Sequence, residues 1–417
     1  MHQRKLTRRG FLQGSAAAVA AVTIVPPHVL GAQAGRPPGT APSETFGGAL
    51  IGCGGRGGGT FGQMKGMGLN VVSLARCDVK FKDTCDNKTI YTDFRRVVER
   101  KDIDIIAIAT PPHWHALISI AAMEAGKDVL CEKPMTRFVA EGRAVAQAEK
   151  RYKRIFQVGT FGRFGMARQP DNIQVRKILT SGLLKQTEAL YVAQRNFKVK
   201  EWSGKIDLAP EPPPANLDWD MYCGPSTLAP YVKLRTGMTH RGYWDYDGGG
   251  LGDMGQHYMD PLTWQFGLDG TAPVEIEASA PPAHPVVAGM WAWAKLKYAN
   301  GFTLVLESRE WGEPSGLASK GVSLADLSSA LTDADKAKLK EMPDPRPLVP
   351  FGEAVKTRQP AGGNADAAHR TVCIMHLANI AIRMGRKIRF DPVTEQVIGD
   401  EEANRLVNQP MRAPWHL

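Results

Sequence analysis

An acid and a histidine that could exchange a proton stand close together in the glycine-rich stretch Gly248–Asp260. Asp253 and His257 are four residues apart, which places both side chains on one face of a helix. A carboxylate beside an imidazole can transfer protons near neutral pH. The consecutive glycines Gly248–Gly250 let the backbone turn where no side chain would fit. Surface salt pairs on helices have the same spacing, so a catalytic role needs support from other parts of the chain.

A second group of residues could bind the phosphates of a nucleotide. The apolar strand Gly48–Ile51 runs directly into Gly52-Cys53-Gly54-Gly55-Arg56-Gly57, a G-x-G-x-x-G motif after a strand. The first glycine allows the tight turn, the second lets backbone approach a pyrophosphate, and the third allows close packing of the helix. The helix N-terminus that follows offers free N–H groups to phosphate. A glycine-rich loop alone is weak evidence.

An acid stands where such a loop needs a partner for the ribose. Asp78 follows the strand predicted over 70–75, 21 residues beyond Gly57. A carboxylate there accepts hydrogen bonds from ribose hydroxyls and repels a 2′-phosphate, which favours NAD over NADP. Lys80 and Lys82 leave NADP open, and Asp78 could instead only cap a loop. The preceding glycine motif favours the cofactor role.

Alternating strands and helices predict where these residues meet. The apolar run Ile103–Ala109 ends at Thr110–His115, and the short strand Asp128–Cys131 ends at the sequence E-K-P, which contains Lys133. Such alternation predicts a parallel, doubly wound sheet, which binds ligands at the carboxyl ends of its strands. We therefore expect the glycine loop, Asp78, Thr110–His115 and Lys133 to converge.

Four motifs occur in order: the glycine loop, A-T-P-P-H-W-H, E-K-P, and G-G-G-x-x-D-x-G-x-H-x-x-D. Together they resemble the glucose–fructose oxidoreductase / inositol dehydrogenase / rhizopine catabolism (Gfo/Idh/MocA) family, in an exported bacterial branch. The resemblance implies an α/β fold with an N-terminal Rossmann dinucleotide-binding domain. It also implies a C-terminal α+β domain with a large, mostly antiparallel sheet, whose open face commonly pairs subunits in this family. We therefore expect a homo-dimer or homo-tetramer.

The resemblance also implies the residues of the site. Lys133, Asp253 and His257 are the expected catalytic residues, in one pocket beside the nicotinamide. The expected cofactor contacts are Gly52, Gly54, Gly55, Arg56, Gly57, Asp78, Thr110, Pro111, His115, Glu132 and Lys133. The expected substrate contacts are Lys133, Arg163, Trp219, Tyr246, Asp253 and His257. From the residues alone, Trp219 is equally a core anchor, and His369, a further candidate contact, is more readily a packing or capping residue.

These residue types fit the oxidation of a secondary hydroxyl of a sugar, polyol or glycoside. That reaction needs a hydride acceptor, a base, and a cation beside the reacting oxygen. NAD, or NADP, accepts the hydride, and His257, with a reference pKa of about 6.5, is the base. Lys133 donates to the reacting oxygen, and Asp253 orients the substrate or the imidazole. No metal is expected, because no cysteine or histidine spacing matches a zinc site.

The N-terminus predicts export. The paired arginines Arg8 and Arg9 precede Phe11-Leu12 and an apolar run too short to span a bilayer. This pattern indicates recognition by the twin-arginine translocation machinery, a periplasmic location and no stable membrane anchor. Four charges of the formal net charge of +10 lie in residues 1–34. The chain contains no block of Lys and Arg residues, so its charge gives no indication of nucleic-acid binding.

The predicted organisation of the 417 residues has four parts. Residues 1–34 are the signal peptide, 35–44 a linker, 45–165 the NAD(P)-binding Rossmann domain, and 166–417 the domain for substrate binding and oligomerisation. In the last we expect strands over 274–280 and 291–308, with a hairpin turn at Asn300-Gly301, and a helix over 366–384. The segment between Asp78 and Tyr91 is shorter than the family's usual pattern, so its helix should be reduced to a turn or two.

Export also constrains the cofactor. Nicotinamide cofactors are cytoplasmic, so we expect one that is tightly bound and recycled in place, by a second sugar or carbonyl substrate or by a redox-neutral reaction. Two alternatives remain. One is a redox-neutral NAD-dependent glycosidase acting through a transient keto-sugar, although that branch carries other residues where this chain has G-D-M-G-Q-H. The other is a non-catalytic sugar-binding or partner protein on a dehydrogenase fold.

Overall fold

A computed structural model describes residues 45–184 and 188–417. The predicted signal peptide, 1–34, and the linker, 35–44, lie outside the described residues. Two six-stranded sheets organise the described chain. The first is formed by strands between residues 46 and 158, and the second by strands between residues 190 and 397.

The first sheet is parallel throughout. Its strands are β1 (Phe46–Ile51), β2 (Val71–Cys77), β3 (Ile90–Tyr91), β4 (Ile105–Ile108), β5 (Asp128–Cys131) and β6 (Phe156–Val158). They lie in the order β3-β2-β1-β4-β5-β6, which is that of a dinucleotide-binding Rossmann fold. The central strands β4 and β5 are buried along their whole length. Both faces of the sheet are covered, which explains their apolar runs without alternation and confirms the predicted domain type.

Helices connect these strands. They are α1 (Gly57–Gly66), α2 (Phe94–Val98), α3 (His115–Glu124), preceded by the 3-10 turn Pro112–Trp114, and α4 (Val139–Tyr152). Between Asp78 and Ile90 the chain forms only turns and bends. The helix of a turn or two that the sequence suggested is therefore absent between these residues, and no helix covers the chain that follows β2.

The second sheet is mixed and mostly antiparallel. Its strands are β7 (Leu190–Gln194), β8 (Glu275–Ser279), β9 (Trp293–Lys297), β10 (Thr303–Glu307), β11 (Ile388–Asp391) and β12 (Gln396–Val397). They lie in the order β12-β11-β8-β9-β10-β7. Only β7 and β10 pair in parallel; the other pairings of this sheet are antiparallel. The predicted hairpin joins β9 to β10 through Gly301, whose φ of +89° suits glycine.

Helices of the second part of the chain pack on this sheet and on the first domain. They are α5 (Gly162–Met166), α6 (Pro170–Thr180), α7 (Trp219–Cys223), α8 (Gly249–Gln265), α9 (Leu324–Ser329), α10 (Asp333–Glu341), α11 (Phe351–Thr357), α12 (Ala365–Met384) and α13 (Glu401–Val407), with 3-10 turns at Lys233–Arg235 and Gly237–Gly242. The long, largely buried α12 contacts α4, α8 and β8. It therefore fixes the glycine-rich helix α8 against the Rossmann domain.

A second helix from the later part of the chain, α11, also packs on the first domain. Phe351 of α11 is fully buried in a cluster with Leu50 of β1 and Ile105 of β4. The predicted boundary between residues 165 and 166 therefore separates two sheets, but α11, which follows that boundary, completes the core of the first.

Candidate active site

A cleft of about 310 Å³ lies where the first sheet meets the second part of the chain. Residues at the carboxyl ends of β1, β2, β4 and β5 line it, and doubly wound sheets bind ligands at this edge. The remaining walls come from beyond the Rossmann sheet: Met221, Tyr222, Gly237, Met238, His240, Arg241, Asp247 and Asp253. Two parts of the chain thus contribute to one cavity, as is common in active sites.

The turn from β1 to α1 has the geometry expected from the glycine motif. Gly52 has a φ of +87°, and a Cβ there would lie 2.5 Å from the backbone at Ala109. A Cβ on Gly57 would lie 2.3 Å from the carbonyl oxygen of Gly52, so α1 packs closely on the strand. At Gly54 and Gly55, which line the cleft, a Cβ would meet no protein atom within 4 Å. The loop is closed by protein at both ends and open to the cleft in its middle.

The carboxylate of Asp78 lies beside this loop at the end of β2. Its Oδ2 accepts a hydrogen bond from the N–H of Cys53 at 2.8 Å, and its Oδ1 accepts one from the N–H of Lys80 at 3.0 Å. Asp78 is half-buried and lines the cleft, as Lys80 does. It therefore caps local backbone and faces the cavity, so the two roles considered from the sequence are compatible.

Glu132 joins the end of β5 to the start of α1. Its side chain is buried, and its Oε1 accepts hydrogen bonds from Thr60 Oγ1 at 2.6 Å and from Arg56 Nε at 2.9 Å. Arg56 and Glu132 both line the cleft. The two predicted cofactor contacts thus bind each other and fix the N-terminal end of α1.

The loop after β4 presents an unused hydroxyl to the cleft. Thr110 and Pro111 line the cavity, and Thr110 Oγ1 is buried without a hydrogen-bond partner among the described residues. His115 is buried and does not line the cleft. Its Nδ1 lies 2.7 Å from the carbonyl oxygen of Pro134, and its Nε2 lies 2.8 Å from that of Thr110. His115 therefore links the loops after β4 and β5.

Lys133, Asp253 and Arg241 form a compact ion-pair group on the cleft wall. Lys133 Nζ donates to Asp253 Oδ1 at 2.6 Å and to its carbonyl oxygen at 2.8 Å. Arg241 Nε lies 2.6 Å from the same Oδ1. Burial raises the pKa of Asp253, but Lys133 and Arg241 outweigh this effect and hold that pKa below its usual range. Asp253 is therefore a stable carboxylate that orients two cations, and a poor proton acceptor.

His257 lies one helical turn after Asp253, at the edge of this group. Its side chain is partly exposed, and it is not among the residues that line the cleft wall. Partial burial and the charge of Lys133 lower its pKa, while Asp253 and Glu132 act in the opposite direction. Within the described residues no hydrogen bond joins His257 to Asp253. The two are on one helix, as predicted, but Asp253 is bonded to cations from other elements.

Two further titratable groups face the cleft and were missed by the sequence analysis. His240 Nδ1 lies 2.6 Å from the carbonyl oxygen of Gly237, and its Nε2 lies 4.0 Å from Asp247 Oδ2. Burial and the neighbouring Arg241 lower the pKa of His240 to about 4. Burial and the charge of Asp253 raise the pKa of Asp247 to about 7. Asp247 could have been noticed directly before the three glycines, whereas His240 and Arg241 lie in a segment without a motif.

Three predicted substrate contacts do not reach the cleft. Arg163 is fully buried, and its guanidinium donates to both carboxylate oxygens of Asp260, at 2.9 and 2.6 Å. Trp219 stacks on Tyr222 with ring centroids 5.1 Å apart and donates to a backbone carbonyl. Tyr246 is 0% exposed. These three side chains pack or form ion pairs, and none of them lines the cleft. The geometry therefore does not support direct contact with a substrate there.

His369, the other candidate from the sequence, also lies elsewhere. It is fully buried in α12, and its Nε2 is 2.9 Å from Glu395 Oε1. Packing is the role that its position supports.

A nicotinamide dinucleotide suits the groups around the cleft. The open middle of the glycine loop leaves room for phosphates at the start of α1. The carboxylate of Asp78 can accept from a ribose, and Thr110 Oγ1 has hydrogen-bonding capacity that protein atoms do not use. Across residues 45–184 and 188–417, no cluster of three or more His, Cys, Asp or Glu side chains could hold a metal ion. No helix in the same ranges is long and apolar enough to cross a membrane.

The strand order and the cleft are those of a dinucleotide-binding Rossmann protein, and sequence comparison agrees. Residues 48–160 match the family model described as "Oxidoreductase family, NAD-binding Rossmann fold". Residues 170–417 match the one described as "Oxidoreductase family, C-terminal alpha/beta domain". The chain belongs to the Gfo/Idh/MocA oxidoreductase family.

Individual relatives are similar over part of the chain. Levoglucosan dehydrogenase of Pseudarthrobacter phenanthrenivorans is 33% identical over 112 residues, covering 27% of this chain and 27% of the relative. Inositol 2-dehydrogenase of Rhodococcus erythropolis is 32% identical over 129 residues, covering 31% of this chain and 36% of the relative. The chain thus spans about a third of the length of these curated relatives.

A solved structure is similar over most of the chain. An oxidoreductase domain protein from Kribbella flavida superposes with a TM-score of 0.50 at 16% identity, covering 85% of this chain and 100% of that one. At this identity the likeness concerns the fold alone.

Proposed function

We propose that the protein is an NAD(P)-dependent oxidoreductase that acts on a secondary hydroxyl of a sugar, polyol or glycoside. The observation that carries the proposal is that Lys133 Nζ, fixed by Asp253, lines the same cleft as the open middle of the glycine loop. A donor for the reacting oxygen therefore lies in the cavity that suits the cofactor. The similarity to dehydrogenases of levoglucosan and inositol supports a polyhydroxylated substrate.

Each side chain has a distinct task in this scheme. The ammonium of Lys133 has three hydrogens, and those not engaged by Asp253 donate to the reacting oxygen and favour its alkoxide character. Asp253 keeps Lys133 in place and stays ionised. His257, one helical turn beyond Asp253 at the edge of the cleft, is the base in this scheme, because its lowered pKa leaves the ring neutral near pH 7. The nicotinamide supplies the hydride chemistry when it is bound.

The cofactor that we propose is NAD. The carboxylate of Asp78 at the ribose end of the cleft would repel a 2′-phosphate, and its position beside the glycine loop supports this assignment. Lys80, which also lines the cleft, is the feature that would favour NADP. Competitive binding of the two dinucleotides decides between them.

The cofactor that we propose is also retained between turnovers. The segment around α7 bridges the loops after β2 and β4. Asp218 N–H donates to the carbonyl oxygen of Val79 at 2.9 Å, Trp114 Nε1 donates to that of Met221 at 3.1 Å, and His113 Nε2 lies 2.8 Å from that of Tyr222. Because Val79, Trp114, Met221 and Tyr222 line the cleft, these contacts hold one of its walls together. Retention agrees with a cofactor that is recycled in place.

We further propose export by the twin-arginine pathway and activity in the periplasm, on the basis of Arg8, Arg9 and the apolar run that follows. A homo-dimer or homo-tetramer, formed through the open face of the second sheet, completes the proposal. Cell fractionation with a variant in which both arginines are lysines tests export to the periplasm. Light scattering of the mature protein tests the oligomeric state.

The decisive experiment uses mature protein purified from the periplasm. After desalting, the protein is denatured and its nicotinamide is quantified, and we expect about one dinucleotide per chain. The native protein is then mixed with sugars, polyols and glycosides while the absorbance of reduced nicotinamide is followed. Folded protein without bound nicotinamide would contradict retention. Bound nicotinamide that none of these compounds reduces would contradict the proposed reaction.

A further inference from the structure

Asp247 is a buried carboxyl group on the cleft wall to which the proposed reaction gives no task. It is 2% exposed and lines the cleft together with His240, Arg241 and Asp253. Its Oδ1 accepts a hydrogen bond from the N–H of Gly248 at 2.6 Å. Within the described residues its Oδ2 receives no hydrogen bond, and His240 Nε2 lies 4.0 Å from it.

The chain is shaped around this carboxyl group. A Cβ on Gly252 would lie 2.5 Å from Asp247 Oδ1, so any larger residue at position 252 would displace the carboxyl group. His240 is fixed from the other side, because its Nδ1 is 2.6 Å from the carbonyl oxygen of Gly237. A carbonyl oxygen only accepts, so Nδ1 carries the hydrogen and Nε2 presents its lone pair. The ring therefore turns an acceptor toward Asp247, which favours a protonated carboxyl group there.

The charges around Asp247 are unevenly distributed. On the cleft side, Lys133 and Arg241 lie within 2.6 Å of Asp253, and Asp253 repels a second negative charge. Burial, and after it the charge of Asp253, raises the pKa of Asp247 to about 7. Since an efficient acid–base group has a pKa near the working pH, Asp247 is suited to exchange a proton under neutral conditions.

A second small cavity lies behind Asp247. It has a volume of about 20 Å³ and is also lined by Arg137, His376 and Arg383. This volume holds about one water molecule. Burial lowers the pKa of both arginines and brings that of His376 to about 3. The buried His376 is therefore neutral, and Asp247 lines both this cavity and the cleft.

We propose that Asp247 is a second acid–base residue of the active site, with His240 as its positioning residue. As a carboxylate it accepts the proton of a substrate hydroxyl, and as a carboxyl group it returns a proton to the carbonyl oxygen of the next substrate. The inference rests on the proposed function, since it requires a hydroxyl-bearing substrate in the cleft.

The step balances with the components already named. With the dinucleotide bound, the single O–H proton would move to Asp247 Oδ2 in place of His257, the C–H hydrogen would leave with its electron pair to the nicotinamide, and the C–O bond would become a carbonyl. In the reductive half, a second carbonyl compound takes back that hydride and the proton. His257 is exposed, so a proton on it exchanges with bulk water, whereas a proton on Asp247 stays inside the cleft. A retained cofactor that alternates between two substrates would use such an internal proton.

The test follows reduction of the bound nicotinamide in a single turnover, over about two pH units on either side of 7. It uses holoenzyme and the sugar that reduces the wild type fastest. Asp247→Asn keeps the acceptor for Gly248 but cannot take up a proton. We expect a loss in rate of about 10²-fold and no titration near pH 7. His257→Gln should lose rate but keep that titration. His240→Gln should move its midpoint.

A matched control and a second readout complete the design. Asp245→Asn removes a nearby carboxylate that pairs with Arg235 and does not line the cleft, so it should leave the rate and its pH profile unchanged. Infrared spectroscopy without substrate should show a protonated carboxyl band in the wild type that disappears as pH rises through about 7. Asp247→Asn should lack that band, and thermal melting should show that both variants are folded.

The outcomes separate the two proposals. An active wild type with Asp247→Asn indistinguishable from it overturns the role of Asp247 alone. Loss of activity in Asp247→Asn without the infrared titration in the wild type also overturns it, because the residue would then act only by shaping the cleft. If no compound reduces the bound nicotinamide of the wild type, the proposed reaction fails, and the role of Asp247 fails with it.

Discussion

Alanine at two glycines of the β1–α1 loop should separate folding from cofactor binding. At Gly52 the φ of +87° is unfavourable for a residue with a side chain, by about 1–2 kcal/mol. The new Cβ would also lie 2.5 Å from backbone at Ala109, which cannot rotate away. Overpacking of this kind costs about 1–3 kcal/mol. We therefore expect Gly52→Ala to lower the free energy of unfolding by about 2–5 kcal/mol.

Gly54→Ala is the matched substitution two residues further along the loop. A Cβ there meets no protein atom within 4 Å, and restricting the unfolded chain stabilises by about 0.4–1 kcal/mol. The same methyl group would occupy the space that the loop offers to a pyrophosphate. We therefore expect a protein at least as stable as the wild type that has lost its nicotinamide.

Urea unfolding of cofactor-free protein measures the stability of both variants. Nicotinamide content after desalting measures their cofactor binding. Cofactor-free samples are needed because a bound ligand adds its own stabilisation. A Gly54→Ala protein that keeps a full complement of nicotinamide would refute the assignment of the open loop to phosphate. A Gly52→Ala protein within about 0.5 kcal/mol of the wild type would refute the geometry of the turn.

Three further substitutions test individual side chains. Lys133→Met should retain nicotinamide but reduce it about 10²–10³-fold more slowly in a single turnover, since the donor to the reacting oxygen is gone. Asp260→Asn should lower the free energy of unfolding in urea by about 3–5 kcal/mol, because it leaves Arg163, 0% exposed, without its ion-pair partner. A change in substrate KM without this loss of stability would instead return Arg163 to the substrate site. Folding raises the pKa of Asp247 from 3.8 to about 7, so its stabilisation is complete below about pH 4 and lost as pH rises through about 7. That loss amounts to about 4 kcal/mol, and urea unfolding of Asp247→Asn should lack this part of the pH dependence.

The sequence was informative wherever regular structure carries a residue to a fixed place. Parallel strands end at one edge, so the ends of β1, β2, β4 and β5 could be expected to bring Asp78, Thr110 and Lys133 to one cleft before any coordinates were known. Lys133 and Asp253 are separated by 120 residues, and their contact was expected only from the family resemblance. Local periodicity predicts which face of a helix or strand a residue lies on. Contacts between residues far apart in the chain can be predicted only when the fold is known.

Arg163 is a residue that the sequence analysis placed in the site and that the structure places in a buried ion pair. The family resemblance placed Arg163 among the substrate contacts. Its actual partner, Asp260, is 97 residues away in the chain and is the last acid of the glycine-rich motif. Neither residue has a local signal of burial, so the sequence could not show that each is there to neutralise the other. His240 and Arg241 were missed for a related reason, since the 3-10 turn that carries them has no apolar period.

The acid–histidine spacing that first suggested chemistry in α8 has a different meaning in the folded protein. Asp253 and His257 lie on one helix, but the protonation of an acid depends on its nearest charges, and those of Asp253 are Lys133 and Arg241. Two cations committed to one carboxylate leave the neighbouring one, Asp247, with too little positive charge to stay ionised in a buried site. One carboxyl group of the cleft is thereby fixed as an anion and the other is free to carry a proton. This division of roles between two similar acids follows from where the cations lie, and the four-residue spacing on the helix does not encode it.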